Sequence, residues 1–191
     1  VEILAAAERC FASNGFHGAT IAQICAEAGI SPGHLYHYFA SKEAIISSIT
    51  DAGLAYIMSR YALVGEDTDA VAVLISEFEQ LKALHRESGP GVLLDVLAEA
   101  GRNPAIRKNL QDTSQRMRKL LADFLHKGQM RGQIDPDLDL DATAAMLISI
   151  IDSCKTLSIR EPNLDHKRSA KVLETMIRRF LSPPKSREMV S

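Results

Sequence analysis

The stretch TIAQICAEAGISPGHLYHYFASK, residues 20–42, decides the fold. Thr20 stands where a helix N-cap is wanted, and Ile21, Ile24, Cys25 and Ala28 then fall on one face of a short helix. Gly29 closes that helix, because glycine adopts the left-handed backbone of a C-terminal cap without steric cost. Ser31 and Pro32 open the next helix as N-cap and first-turn proline, where a missing N–H costs nothing. It runs to about Tyr38. Leu35 and Phe39, four residues apart, anchor it inward, and His34, Tyr36, His37 and Tyr38 set polar or amphipathic tips around it. Two short helices joined through Gly29, Ile30 and Ser31 have the dimensions of a helix-turn-helix, whose second helix can enter a DNA major groove. The same pair also fits a bland role as an α-hairpin closing a core.

Working outward, Ile3, Leu4, Ala7, Cys10 and Phe11 recur at helical spacing before Asn14 and Gly15. On the other side Ser41 caps a long helix carrying Ile45, Ile46, Ile49, Leu54, Ile57, Met58 and Tyr61, with reach to Val64. Further helices are predicted over 70–87, 92–100, 105–131, 138–159 and 165–181, separated by Gly- and Pro-bearing breaks. The eighth is apolar on more than one side and so internal or at an interface. No segment alternates with period two for long enough to demand a sheet. The expected fold is all-α, with nine helices in two lobes.

The 191 residues suffice for one cooperative unit or two small lobes. Hydrophobic residues make up 46% and Lys+Arg number 22 against 24 Asp+Glu, which excludes disorder and a nucleic-acid-coating protein. Cys10, Cys25 and Cys154 match no zinc spacing and cannot all pair, and no run reaches 18 apolar residues, so a cytoplasmic protein with no membrane partner is expected. The first 60 residues set Arg9, Lys42 and Arg60 against Glu2, Glu8, Glu27, Glu43 and Asp51. That balance opposes phosphate binding. Helix N-termini, the doubling of contacts in a dimer and a basic arm ahead of Val1 would each offset it.

The order Phe11, Gly15, Thr20, Ile21, Ile24, Ala28, Gly29, Ser31, Gly33, Leu35, Tyr36, Tyr38, Phe39, Lys42 and Glu43 is specific. From Ile3 to Ile49 the chain resembles the N-terminal domain of the tetracycline-repressor (TetR/AcrR) family of bacterial transcriptional regulators. The resemblance implies a DNA-binding domain over 1–46, a helical ligand-binding and dimerisation domain over 47–182 and a polar tail over 183–191. It further implies that Pro32, Gly33, His34 and His37 face base edges or sugars of a palindromic double-stranded operator. Thr20, Ser31, Tyr36, Tyr38 and Lys42 become candidates for phosphate contact. Gln23 and Glu27 occupy a side of the second helix that is basic in many members, which points to modest operator affinity.

The apolar surplus beyond residue 47 suits a plain core or a cavity between helices, and the resemblance implies a pocket for a small-molecule effector. Its candidate wall is Met58, Tyr61, Phe78, Leu81, Leu97, Met117, Leu121, Phe124, Met146, Ile150 and Cys154, each also suited to a core. Glu77, Glu79 and Asp95 could approach the polar interruption at Asp152, Ser153 and Cys154; a carboxylate on the wall would suit a cationic or hydrogen-bonding effector, outward carboxylates an apolar one, and the apolar effector is preferred. Gly101 to Pro104 followed by a very long helix is similar to the branch containing the choline-responsive repressor of betaine synthesis. The last two helices, with Ala142, Ala144, Ala145, Met146 and Ile148 on one and Val172, Met176, Ile177 and Phe180 on the other, are the candidates for a homodimer interface.

Competing readings are a helical cavity protein acting as an enzyme and a dimeric scaffold without DNA binding. The cysteines sit at core periodicity without a base, so no catalytic residue is assigned. His34 and His37 lack a third metal ligand, and the run Asp135, Asp137, Asp139, Asp141 lacks the glycine and final glutamate of a calcium loop, so those acids are read as helix caps. No metal and no cofactor are expected. A ligand-released repressor is the leading reading.

Overall fold

The structure is a computed structural model that describes residues 2–62, 68–76 and 91–184. These form α1 (Glu2–Gly18), α2 (Ile21–Ala28), α3 (Pro32–Tyr38), α4 (Lys42–Ala62), a helical stretch α5 at 70–76, α6 (Gly91–Ala100), α7 (Pro104–Met130), α8 (Leu140–Lys155), α9 (Leu157–Arg160) and α10 (His166–Leu181). Among the described residues there is no strand and no helix long and apolar enough to cross a membrane. The all-α expectation and the order of helices hold. Two boundaries differ. The first helix does not stop at Asn14 but breaks at Gly15 (φ 70, ψ 169) and adds a turn to Gly18. The eighth ends at Lys155, where Thr156 takes over as cap and starts the single turn α9.

Packing divides the described chain into a first unit, 2–62 with 91–117, and a second, 68–76 with 118–184. In the first unit Ala7, Phe11, Phe16, Ile24, Cys25, Leu35, Ile45 and Ile46 share one core with Val96, Ala100 and Ile106. Full burial of side chains such as Phe11, Ile24, Leu35 and Ile45 contributes about 1.5–3 kcal/mol each. The three-helix head therefore packs on α6 and the start of α7. Arg107 fastens this support, donating to the carbonyl oxygens of Ala100 (2.8 Å) and Gly101 (2.7 Å) at the end of α6.

In the second unit Leu121, Leu125, Ile134, Leu147, Ile177 and Leu181 are buried with Ala70 and Leu74. Gly128 admits close approach here, since a Cβ at that position would lie 2.6 Å from Ile134 Cδ1 and 3.2 Å from the Ala70 Cβ. The aspartate run is a turn and a cap: Asp135 Oδ1 accepts the Asp137 N–H at 2.9 Å, and Asp139 Oδ1 accepts the Ala142 N–H at 3.1 Å to start α8. Asp141 pairs with Arg118 at 3.1 Å.

Candidate nucleic-acid interface

The helix-turn-helix is assembled by its caps. Thr20 Oγ1 accepts the Gln23 N–H (3.2 Å) while Gln23 Oε1 accepts the Thr20 N–H (2.8 Å), a reciprocal capping box that opens α2. Gly29 ends α2 at φ 66, ψ 31. Ser31 Oγ accepts the His34 N–H at 3.2 Å with Pro32 in the first turn of α3. Each of these follows from the local sequence, because both partners of every cap lie within three residues.

Leu35 is the one fully buried residue of α3, and Phe39 is half-buried against the same core. Pro32, Gly33, His34, Tyr36, His37 and Tyr38 are all exposed, as are Thr20 and Ser31. Tyr36 stands 55% exposed and Tyr38 60%. Tyr38 sits edge-on between two imidazoles, with ring centroids 5.3 Å from His34 and 5.2 Å from His37. α3 thus turns a continuous aromatic and imidazole face outward on a single apolar anchor. Such a face offers hydroxyl and ring-nitrogen donors and acceptors to base edges and phosphates.

Lys42 does not join it. Its ammonium donates to the carbonyl oxygens of Phe16 (2.7 Å), Ala19 (2.9 Å) and His17 (3.4 Å) and lies 4.7 Å from the centre of the Phe16 ring. These contacts occupy its three protons at the end of α1, where the helix dipole favours a cation. Arg9 is paired with Glu27 at 2.7 Å, so both Lys and Arg side chains of residues 2–46 are held within the chain.

Sequence reasoning missed a cluster beside this head. Asp95 on α6 accepts the Phe16 N–H at 3.1 Å, and Glu99 one turn later meets His17 Nε2 at 2.6 Å. Asp95 therefore serves the α1 break, a placement that the sequence left open. A cleft of about 230 Å³ opens over this cluster, lined among others by Asn14, Gly15, His17, Asp95, Glu99 and Arg102. The signal available was an i,i+4 carboxylate pair on an otherwise apolar helix.

The effector-wall candidates are scattered in their surroundings. Leu121 and Phe124 are buried in the second unit, Tyr61, Met117, Ile150 and Cys154 are half-buried, and Met58, Leu97 and Met146 are exposed. Phe78 and Leu81 lie outside the described residues. Neither the cleft above nor one of about 320 Å³ along α10, at Arg168, Lys171, Val172, Thr175, Met176 and Arg179, is lined by any of them. Among the described residues no group of three or more His, Cys, Asp or Glu is placed to hold a metal ion.

A helix-turn-helix with an outward second helix, in a chain whose other described elements are also helices, defines a class of DNA-binding regulator. Residues 3–49 match the family described as bacterial regulatory proteins, tetR family, and residues 79–182 match the C-terminal domain of BetI-type transcriptional repressors. The chain belongs to the tetR family, and it is a transcriptional regulator, not an enzyme. It is 32% identical over 149 residues to the HTH-type transcriptional regulator UidR of Escherichia coli, spanning 78% of this chain and 75% of the relative. It is 28% identical to the HTH-type transcriptional repressor KstR2 of Mycobacterium tuberculosis over 73% of this chain and 71% of the relative. Among solved structures, Salmonella enterica GusR superposes with a TM-score of 0.77 at 30% identity, covering 94% of this chain and 93% of that one.

Proposed function

We propose that the chain is the subunit of a homodimeric repressor that binds a palindromic operator in the bacterial cytoplasm through α3 and is released by a small apolar molecule. The observation that carries the reading is the exposure of Pro32, Gly33, His34, Tyr36, His37 and Tyr38 on one short helix held by Leu35. A helix serving only to close a core would not spend its aromatic surface on solvent.

His34 and His37, with Pro32 and Gly33 keeping the helix start slender, read base edges. Tyr36, Tyr38, Thr20 and Ser31 hold the phosphate backbone and fix register. Dimerisation is supported by Met146 on α8 and by Val172, Met176 and Phe180 on α10, all exposed in the single chain. A two-fold dimer presents α3 twice and matches an inverted repeat. For the effector, exposed Met58 and Leu97 favour an apolar compound. The solved regulator FadR of Bacillus subtilis, which shares the fold at 20% identity and a TM-score of 0.73, holds stearoyl-CoA.

A mobility-shift titration against the region upstream of the chain's own gene tests the reading. Discrete binding that resists competitor DNA, protects an inverted repeat and is weakened by Tyr36→Ala supports it. Absence of any specific shift at low salt across genomic fragments overturns it.

A further inference from the structure

Residues 15–20 form the corner through which α1 feeds the helix-turn-helix. Gly15 breaks α1 at a positive φ, Phe16 and Ala19 enter the core, and Thr20 immediately caps α2. Whatever fixes this corner fixes where α2 begins and, through the Gly29 turn, where α3 points. Lys42 holds the carbonyl side of the corner. The N–H side is held by α6.

Asp95 Oδ2 accepts the Phe16 N–H at 3.1 Å. It also lies 2.8 Å from where a Gly15 Cβ would stand, so the carboxylate occupies a space that only a glycine leaves open. Glu99, one helical turn on, meets His17 Nε2 at 2.6 Å. Glu99 is 8% exposed, and burying a carboxylate is costly unless it is partnered. Val96 and Ala100 on the same helix already supply the apolar packing. Two carboxylates added beside that stripe give direction, which non-directional apolar contact cannot.

We propose that Asp95 and Glu99 are positioning residues for operator recognition: they clasp the α1 corner at Phe16 and His17 and so set the reading helix α3 for the groove. Neither carboxylate touches DNA. The inference rests on the operator-reading assignment of α3, and it adds that part of the specificity is stored on α6, outside the head.

The test uses the full chain, a duplex cut to the footprint upstream of its own gene, and a scrambled duplex of equal length. Four variants are compared at a temperature where circular dichroism shows each one folded: Asp95→Ala, Asp95→Asn, Glu99→Gln and His17→Ala. Asp95→Ala is expected to weaken footprint binding about ten-fold, the value of a lost hydrogen bond of about 1.4 kcal/mol, and to leave scrambled-duplex binding unchanged. Asp95→Asn keeps a carbonyl acceptor for the Phe16 N–H and is expected to retain most of the affinity. Hydrogen exchange is expected to rise over residues 16–38 in Asp95→Ala and stay level in α8 and α10, a pattern that general loss of stability does not produce. His17 has a 74% exposed side chain, so His17→Ala tests the second clasp without a core change. Footprint affinity of both Asp95→Ala and His17→Ala within two-fold of the parent overturns the proposal, as does exchange rising equally in both units. Failure of the parent chain to bind any footprint sinks the operator reading instead, and the two failures are distinct.

Discussion

Lys42 Nζ lies 2.7 Å from the carbonyl oxygen of Phe16 and 4.7 Å from the centre of the same residue's ring. One side chain at the start of α4 thereby closes the end of α1 through a charge-assisted hydrogen bond and a cation–π contact. Lys42→Ala is expected to lower stability by about 1.5–3 kcal/mol, the range for hydrogen bonds to a charged group, and Lys42→Arg to restore only part of it because a planar fork does not fit three converging carbonyls. Thermal and urea denaturation measure this. An unchanged midpoint together with lost operator binding would return Lys42 to the phosphate role.

The outward face of α3 predicts the opposite pattern. Tyr36→Ala and His37→Ala remove exposed atoms, so stability is expected to move by no more than about 0.5 kcal/mol. Operator affinity is expected to fall by about 1–3 kcal/mol per lost contact. Substitutions at His34 and His37 should change which operator positions tolerate mismatch, and Tyr36→Phe should weaken all sequences alike. A selection experiment on randomised half-sites reads both effects.

The head was legible for a physical reason. Thr20 with Gln23, Ser31 with His34, and Gly29 at the end of α2 are caps whose partners lie within three residues, so residue choice alone specifies them. The intrachain partners of Lys42 and Asp95 were not legible because they are 26 and 79 positions away, where a sequence shows a charge but not what it faces. The break at Thr156 carries no glycine or proline to announce it. The effector wall stayed closed to sequence reasoning for a further reason: an apolar residue at helical spacing, such as the buried Leu121 or the exposed Met146, reads the same whether it fills a core, lines a cavity or meets a second subunit.

Charge placement predicts a shallow salt dependence. Each phosphate neutralised by a cation contributes about −0.9 to the slope of log K against log salt. Lys42 is committed to carbonyls, and the exposed Arg9–Glu27 pair is weak enough for a phosphate to displace. One Arg9 per subunit gives about −2 for a dimer. A slope of about −6 or steeper means that basic residues other than Arg9 carry the affinity.

Two carboxylates of the first unit predict opposite pH effects. Burial pushes the Glu8 carboxyl above its ordinary value, against the smaller pull of Arg9. The folded state then binds that proton more tightly than the unfolded chain, and the associated stability is lost as pH rises through the folded value. Glu43 is held below its ordinary value by hydrogen bonds from Ser41 and from its own backbone N–H. Its contribution is present at neutral pH and is lost as pH falls through the folded value. At pH 7.5, Glu8→Gln is expected to raise the melting temperature and Glu43→Gln to lower it, and both differences should shrink toward pH 4. Melting curves of equal sign for the two variants would contradict these assignments.

The dimer interface is tested by charge. Val172, Met176 and Phe180 are spaced four apart along one exposed stripe of α10, and Arg168, Lys171 and Arg179 flank Met176 in the same shallow cleft. Burying that stripe against a second copy removes apolar surface from water, whereas an arginine placed in it must be desolvated beside cations that repel it. Met176→Arg is therefore expected to shift sedimentation from dimer to monomer with little change in the fold of the single chain. Operator affinity should fall far more than the loss of any one base contact explains, because two half-sites no longer bind as one unit. A Met176→Arg protein that still sediments as a dimer would move the interface off α10, and the search would turn to the exposed Met146 on α8.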